Sequence, residues 1–299
     1  MEATRQVVTG SSHSFADVDD TVQRHHTIGR PGPGTSVGDD DGASRSPPNP
    51  LDPARIETLL RERTRFPRLV HVVSCTSTQD LAAADPEPDD AVFVADHQTR
   101  GRGRLRREWH DEPGQDLAVT LRVRTRLPHP AALPAALPVA VLQACEPFAG
   151  RALRIKWPND VFLDGRKVAG VLVDAGVGTR DTYLIGIGVN ANRVRFPPDL
   201  EATACSLALA TGHEVDRGAL LLALCERVDA ALRDLEQGQL TALEHTFRER
   251  LGLVGQRVRV DAGELHEGTL SALDFARLEL DGTRALPLAI VRSIQRAVT

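Results

Sequence analysis

Of the 36 basic residues in this chain two are lysine, Lys156 and Lys167, and the rest are arginine. Alanine is abundant and asparagine scarce, the pattern of a GC-rich coding sequence that exchanges lysine for arginine wherever either serves. Two lysines kept eleven residues apart either survive by chance or mark positions that need a compact, mobile ammonium rather than a planar guanidinium. Both tryptophans, Trp109 and Trp157, and three of the four asparagines, Asn159, Asn190 and Asn192, fall in the same stretches. Scarce residue types gathered in three short segments point to a site.

The densest charge lies in "TRGRGRLRREW", residues 99–109. Arg100, Arg102, Arg104, Arg106 and Arg107 fall within eight residues, although the chain's formal net charge is -5. Gly101 and Gly103 let backbone N–H groups turn toward an anion, and the arginines add bidentate charge. A flexible basic surface loop and a nucleic-acid patch are the competing readings. Against nucleic acid, no second basic stretch extends the patch and stacking aromatics are few. In "RIKWPNDVFLDGRKVAG", Pro158 forces an abrupt strand exit, and Asn159 and Asp160 sit at a strand end flanked by the two lysines. "PND" is a good turn in any protein, but a turn does not need Lys or Trp beside it. In "SCTSTQD" (74–80) Ser77 or Thr78 can cap a helix, and the same hydroxyls can hold a small polar ligand.

Elements that would position these groups follow in order. Residues 1–50 are rich in Gly, Ser, Asp, Pro and His, without apolar periodicity, which predicts a disordered extension. Asp52 as N-cap and Pro53 at the first helical position open a helix with Ile56, Leu59 and Leu60 on its apolar stripe. Strands are expected over 69–75, 91–97, 116–123, 153–157 and 182–190, with a hairpin turning at Asp164-Gly165. Helices are expected over about 134–148, 203–211, 216–236 and 239–250. From Gly252 short alternating strands with turns at Ala262-Gly263 and Asp281-Gly282 read as a small antiparallel barrel.

Bulk properties exclude several classes. Hydrophobic content of 41% and charged content of 26% are those of a globular domain. No apolar run approaches a membrane span, and "MEATRQVVTGSS" has no apolar signal core. Cys75, Cys145, Cys205 and Cys225 form no CxxC pair and read as reduced thiols of a cytoplasmic protein.

Four segments, "STQDLAA" (77–83), "QTRGRGRLRREW" (98–109), "KWPNDVFLDGRKVAGVLVD" (156–174) and "GIGVNAN" (186–192), occur in this order. As a set they resemble the biotin–protein ligases (biotin–[acetyl-CoA-carboxylase] ligases), over about residues 69–299. The resemblance implies an α+β fold: a mixed, mostly antiparallel sheet with flanking helices, like the class II synthetases, plus a small SH3-like barrel. It implies an extension over 1–50, a biotin- and ATP-binding catalytic domain over 51–251 and the barrel over 252–299. The repressor-type DNA-binding domain has no counterpart here. The implied reaction joins biotin and ATP, with Mg²⁺, into biotinyl-5′-AMP, then passes biotin to a lysine of a biotin carboxyl carrier domain.

By the same resemblance, Ser77, Thr78, Gln79, Gln98, Gly101, Arg102, Gly103, Arg104, Lys167 and Gly188 would bind biotin. Arg102, Arg104, Arg107, Trp109, Lys156, Asn159, Asp160 and Asn190 would bind ATP. Arg104, Lys167 and Asp160 would be catalytic, with Asp160 either binding Mg²⁺ or assisting the incoming amine. Arg106 stands where the family usually has glycine, Gln79 where it has asparagine, and the serine usual after Trp109 is missing. A homodimer is compatible with the resemblance; a nucleic-acid or membrane partner is not expected. The alternatives are a ligase of the same fold for another acyl acid such as lipoate, and a transcriptional regulator that responds to biotinyl-AMP.

Overall fold

A computed structural model describes residues 50–297. The extension expected over 1–50 lies, but for Pro50, outside the described residues. Helix α1 (Pro53–Arg63) starts as its sequence dictates. The Asp52 carboxylate accepts the Arg55 N–H at 3.1 Å, and Pro53 fills a position whose N–H would have no helical partner. Then follow β1 (Arg68–Cys75), α2 (Thr78–Ala84), β2 (Ala91–Gln98), a short hairpin of β3 (Gly101–Arg102) and β4 (Glu108–Trp109), β5 (Leu117–Arg124) and α3 (Leu133–Ala149). The hairpin strands β6 (Arg154–Lys156) and β7 (Asp160–Leu163) lead into β8 (Arg166–Ala175) and β9 (Thr182–Val189).

Seven of these strands form one sheet in the order β1-β2-β5-β9-β8-β7-β6. β1 and β2 run parallel, and every other pair is antiparallel. This is the mixed, mostly antiparallel sheet that the resemblance implied. The β7–β8 turn has Asp164 at φ 49° and Gly165 at φ 78°, the left-handed pair that a two-residue hairpin demands and that Asp-Gly tolerates.

Helices α4 (Leu207–Thr211), α5 (Arg217–Gln237) and α6 (Thr241–Leu251) follow. One face of the sheet packs under α1, α3 and α5 through Val94, Val119, Leu121, Ile185 and Ile187. Residues Pro130–Ala149 are long and apolar enough to cross a membrane by composition, but they are mostly buried in this core against α5 and the sheet. The other face carries α2 at one end, where Ala82 meets Ala91, Phe93 and Leu184, and leaves the rest for the site.

The helix expected from about residue 203 begins only at Leu207. Lys167 holds residues 203–205 as a bridge, donating its N–H to Thr203 O at 2.7 Å and accepting that of Cys205 at 2.9 Å. Ser206 then caps α4 through the Leu209 N–H at 3.0 Å. Beyond Gly252, β10 (Arg257–Asp261), β11 (Leu265–Leu273), β12 (Arg277–Leu280), β13 (Arg284–Pro287) and β14 (Ser293–Arg296) form an antiparallel sheet in the order β13-β12-β11-β10-β14. Val258, Val260, Leu270, Leu278 and Ile294 fill its interior, the small all-β part the sequence implied. It is tied to the larger sheet through Trp157, whose indole N–H donates to Val291 O at 2.9 Å. The Trp157 ring meets Phe247 edge-on at 5.9 Å, and Phe247 meets Phe275 at 5.5 Å.

Candidate active site

The first wall is the N-terminus of α2. Ser77 is extended and accepts the Gln79 N–H at 3.3 Å, so it caps the helix. Thr78 donates its N–H and its hydroxyl to Gln98 Oε1 at 2.8 and 3.2 Å, and receives the Thr120 hydroxyl at 2.9 Å. Capping and site building therefore use the same residues. Gln98 closes β2, and its own N–H donates to Asp111 at 3.0 Å. His97 Nδ1 lies 3.2 Å from the same carboxylate. Both ends of the arginine loop are thereby pinned to one another.

The loop between them is a hairpin that pairs Gly101 with Trp109 and Arg102 with Glu108. A Cβ on Gly101 would lie 2.3 Å from the Trp109 carbonyl and 2.9 Å from Gln98 Nε2, so no larger residue fits. The tip is a 3₁₀ turn, Arg104–Arg106, with Leu105 at φ 55° and Arg106 at φ 61°. The backbone path that a glycine takes freely is kept by Arg106, at a conformational cost of about 1–2 kcal/mol. Arg102 bridges two carboxylates: Nη1 lies 3.1 Å from Asp80 and Nη2 3.1 Å from Asp174. Arg104 is half-buried and donates to Asn159 Oδ1 at 3.3 Å. Burial pulls its guanidinium below the usual arginine range, and the Asp160 charge offsets part of that.

The floor is glycine. A Cβ on Gly188 would fall 2.3 Å from the Trp109 ring, so the indole packs where β9 has no side chain. Lys167 Nζ stands 5.5 Å from the Trp109 ring centroid and 2.7 Å from Asp160 Oδ1. Gly170 makes room for both, since a Cβ there would lie 3.0 Å from Lys167 Nζ and 3.4 Å from Asp160 Oδ1. Asn159 Nδ2 donates to Val171 O at 2.8 Å, which fixes its oxygen toward Arg104. Buried Asn190 donates to Lys167 O at 3.3 Å and Cys205 O at 3.1 Å, bracing the backbone beneath the lysine.

The structure thus gathers Ser77, Thr78, Gln79, Gln98, Gly101 and Arg102 at one end and Trp109, Asp160, Lys167 and Gly188 at the other. Gly103 and Arg104 span the gap, and Gly103 N–H donates to Arg107 O at 2.8 Å. Arg107 is exposed on the hairpin. Lys156, also exposed, shares the sheet face of Asp160 but lies over the Phe162 ring at 5.0 Å. Of the two scarce lysines, Lys167 is the one held in the cluster.

Sequence reasoning missed the carboxylates that hold this machinery. Asp80 and Asp174 grip Arg102, Asp111 pins the loop stems, and Asp116 accepts the N–H groups of Glu112 and Ala191 at 2.9 and 3.1 Å. Asp116 is also paired with buried Arg193, whose guanidinium reaches His110 O at 2.6 Å. Burial pushes the Asp116 carboxyl up to about 6, and Arg193 opposes that shift. An acid that ends the apolar run "VAGVLVD" was the signal available for Asp174. A cavity of about 260 Å³ beside Arg104 and Asn159, lined also by Val171, Val173, Leu288 and Val291, had none.

Among the described residues no three His, Cys, Asp or Glu side chains gather as a metal site. Asp160 is engaged by Lys167, and Asp80 and Asp174 by Arg102, so the described residues do not form a protein-held metal cage. Burial pushes the Cys145 thiol up to about 12 and raises that of Cys225 further, as inert core groups.

A basic hairpin thus folds over the glycine-bearing face of a mixed sheet. Residues 70–192 match the Biotin/lipoate A/B protein ligase family. It is 34% identical over 183 residues to the bifunctional ligase/repressor BirA of Bacillus subtilis, covering 58% of this chain and 56% of that protein. The chain thus spans little more than half the length of the ligase/repressor relatives it matches. It is 29% identical over 223 residues to the biotin–[acetyl-CoA-carboxylase] ligase of Mycobacterium tuberculosis, covering 71% of this chain and 82% of that one. The biotin protein ligase of Aquifex aeolicus in complex with biotin and ATP superposes with a TM-score of 0.69 at 25% identity, over 78% of this chain and all of that one.

Proposed function

We propose that this protein is a biotin–protein ligase that forms biotinyl-5′-AMP from biotin and ATP. It then transfers biotin to a lysine of a carboxylase's biotin carboxyl carrier domain. The observation that carries the reading is the Lys167–Asp160 pair standing on a glycine floor under a hairpin that holds Arg102 and Arg104.

In the first step a biotin carboxylate oxygen attacks the α-phosphorus of ATP, and the bond to the departing pyrophosphate breaks. Two anions must meet, so fixed positive charge lowers the barrier. Lys167 and Arg104 supply it at the reacting atoms, and Arg102 supports them. Ser77, Thr78, Gln79, Gln98, Gly101, Gly103 and Gly188 form the biotin side. Trp109, Asn159, Asn190, Lys156 and Arg107 form the nucleotide side. The hairpin lies over the face and shields the mixed anhydride from water. In the second step the carrier amine attacks the acyl carbon and AMP leaves. Asp160, beside Lys167, is the carboxylate that would hold the incoming lysine and take the proton its amine gives up as the amide forms. Mg²⁺ would arrive with ATP, held chiefly by phosphate and water.

Biotin-dependent ATP–pyrophosphate exchange on the purified protein tests the reading. Exchange that answers lipoate and ignores biotin would overturn the substrate. A specific shift of biotin-operon DNA would favour a regulator. Limited proteolysis between Arg102 and Arg107 should slow when biotin and ATP are added. We assign the catalytic domain to residues 51–251 and the barrel to 252–299, in a cytoplasmic enzyme. A chain beginning at residue 51 should keep its exchange activity.

A further inference from the structure

Gln79 is 2% exposed, yet half of its carboxamide has no partner. Its Nε2 donates to Asp174 Oδ2 at 3.2 Å and faces Leu184 O at 3.5 Å. Two acceptors on that side fix which end of the amide carries hydrogen. Oε1 then points over Gly186, where a Cβ would lie 3.3 Å from it. No donor among the described residues reaches Oε1. A buried acceptor left unpaired costs about 1–3 kcal/mol. Here it lies over the sheet face that carries Gly186 and Gly188, where β9 has no side chain to cover it. The same Asp174 oxygen also takes Arg102 Nη2 at 3.1 Å, so one carboxylate orients a residue from α2 and another from the hairpin.

We propose that Asp174 is a positioning residue that locks the Gln79 carboxamide with its oxygen toward the ligand, so that the site selects an acid whose head group presents an N–H. The inference rests on the biotin ligase reading and deepens it. The cyclic urea of biotin carries such N–H groups. The dithiolane ring of lipoate has none, and its entry would leave Gln79 Oε1 buried and unpaired. A site built to pair a polar group rejects an analogue lacking it more strongly than an apolar pocket rejects a misfit. Gln79 in place of asparagine reaches farther across Gly186, and Asp174 is what stops the longer side chain from turning.

The test is pyrophosphate exchange by the full chain, with biotin affinity measured in parallel by calorimetry. Asp174→Ala should raise the KM for biotin by about tenfold to a hundredfold; Arg102 keeps its pair with Asp80, so kcat and the KM for ATP should change less than the biotin KM. Asp174→Asn keeps an acceptor for Gln79 and should stay within about threefold of the parent in biotin KM. In a Gln79→Met background Asp174→Ala should add much less to the biotin KM than it does in the parent, because only the share that runs through Arg102 remains. A merely structural aspartate would lower stability without that split or that dependence. An active parent whose Asp174→Ala variant keeps its biotin KM, or whose loss persists in full beside Gln79→Met, overturns the inference alone. A parent that neither exchanges with biotin nor binds it overturns the functional reading and the inference with it.

Discussion

Along β5, Val119, Leu121 and Val123 turn toward α3 and α5, while Ala118, Thr120 and Arg122 turn the other way. Along β9, Ile185, Ile187 and Val189 join the first set, and Leu184, Gly186 and Gly188 the second. Along these two strands the helix-covered face is filled by branched apolar side chains. The opposite face spends its positions on glycine, short hydroxyls and charge, and is covered over the site by a hairpin rather than a helix. One set of strands therefore separates stability from chemistry by the alternation of the pleat. A substitution should damage one property or the other according to the parity of its position.

Leu142, fully buried on α3, gives the largest expected effect on the stable side. Leu142→Ala should cost about 2–5 kcal/mol in urea unfolding while the folded fraction keeps its exchange rate. The mirror image is Lys167→Ala on the open face. It should slow adenylation by about 10²–10³-fold and move the unfolding midpoint little, since Lys167 is part-exposed. Lys167→Arg should approach the same loss, because a planar fork cannot follow a carboxylate as it becomes an acyl phosphate. A parent-like Lys167→Arg variant would mean that the scarcity of lysine marked nothing.

Asp116 offers a smaller effect with a definite sign. Its folded-state carboxyl is raised by burial from the ordinary aspartate value of 3.8 to about 6. The folded protein therefore binds the proton more tightly, and that stabilisation is complete below pH 3.8 and fades as pH rises through 6. Asp116→Asn should flatten this part of the urea midpoint's pH profile; an unchanged slope between pH 4 and 6.5 would assign it to other groups. Smallest is Asp52→Ala at the start of α1, expected to cost about 1 kcal/mol with no change in exchange, since the cap lies on the helix-covered side.

The elements were legible wherever local chemistry decides them. Asp52-Pro53, Ser77 and Asp164-Gly165 each start or turn an element by a contact spanning three residues or fewer, so the sequence carries the whole cause. The start of α4 was not legible, because residues 203–205 are held by Lys167, some forty positions earlier. The Arg106 departure was visible, but only its positive φ shows that the hairpin keeps a glycine's path.

The sequence by itself determined the inventory: two lysines, a run of alternating glycine and arginine, glycines on a strand, and a turn bearing Asn159 and Asp160. These are choices of residue type, made by needs for charge, size or backbone freedom that hold in any fold. Tertiary structure alone decided which charges meet. Arg102 finds Asp80 and Asp174, Lys167 rather than Lys156 turns to the cluster, and Trp109 settles on Gly188. Each pairing depends on strand register and on a hairpin crossing the sheet. A carboxylate's partner is set by distance in space, and spacing along the chain fixes that distance only within a single turn.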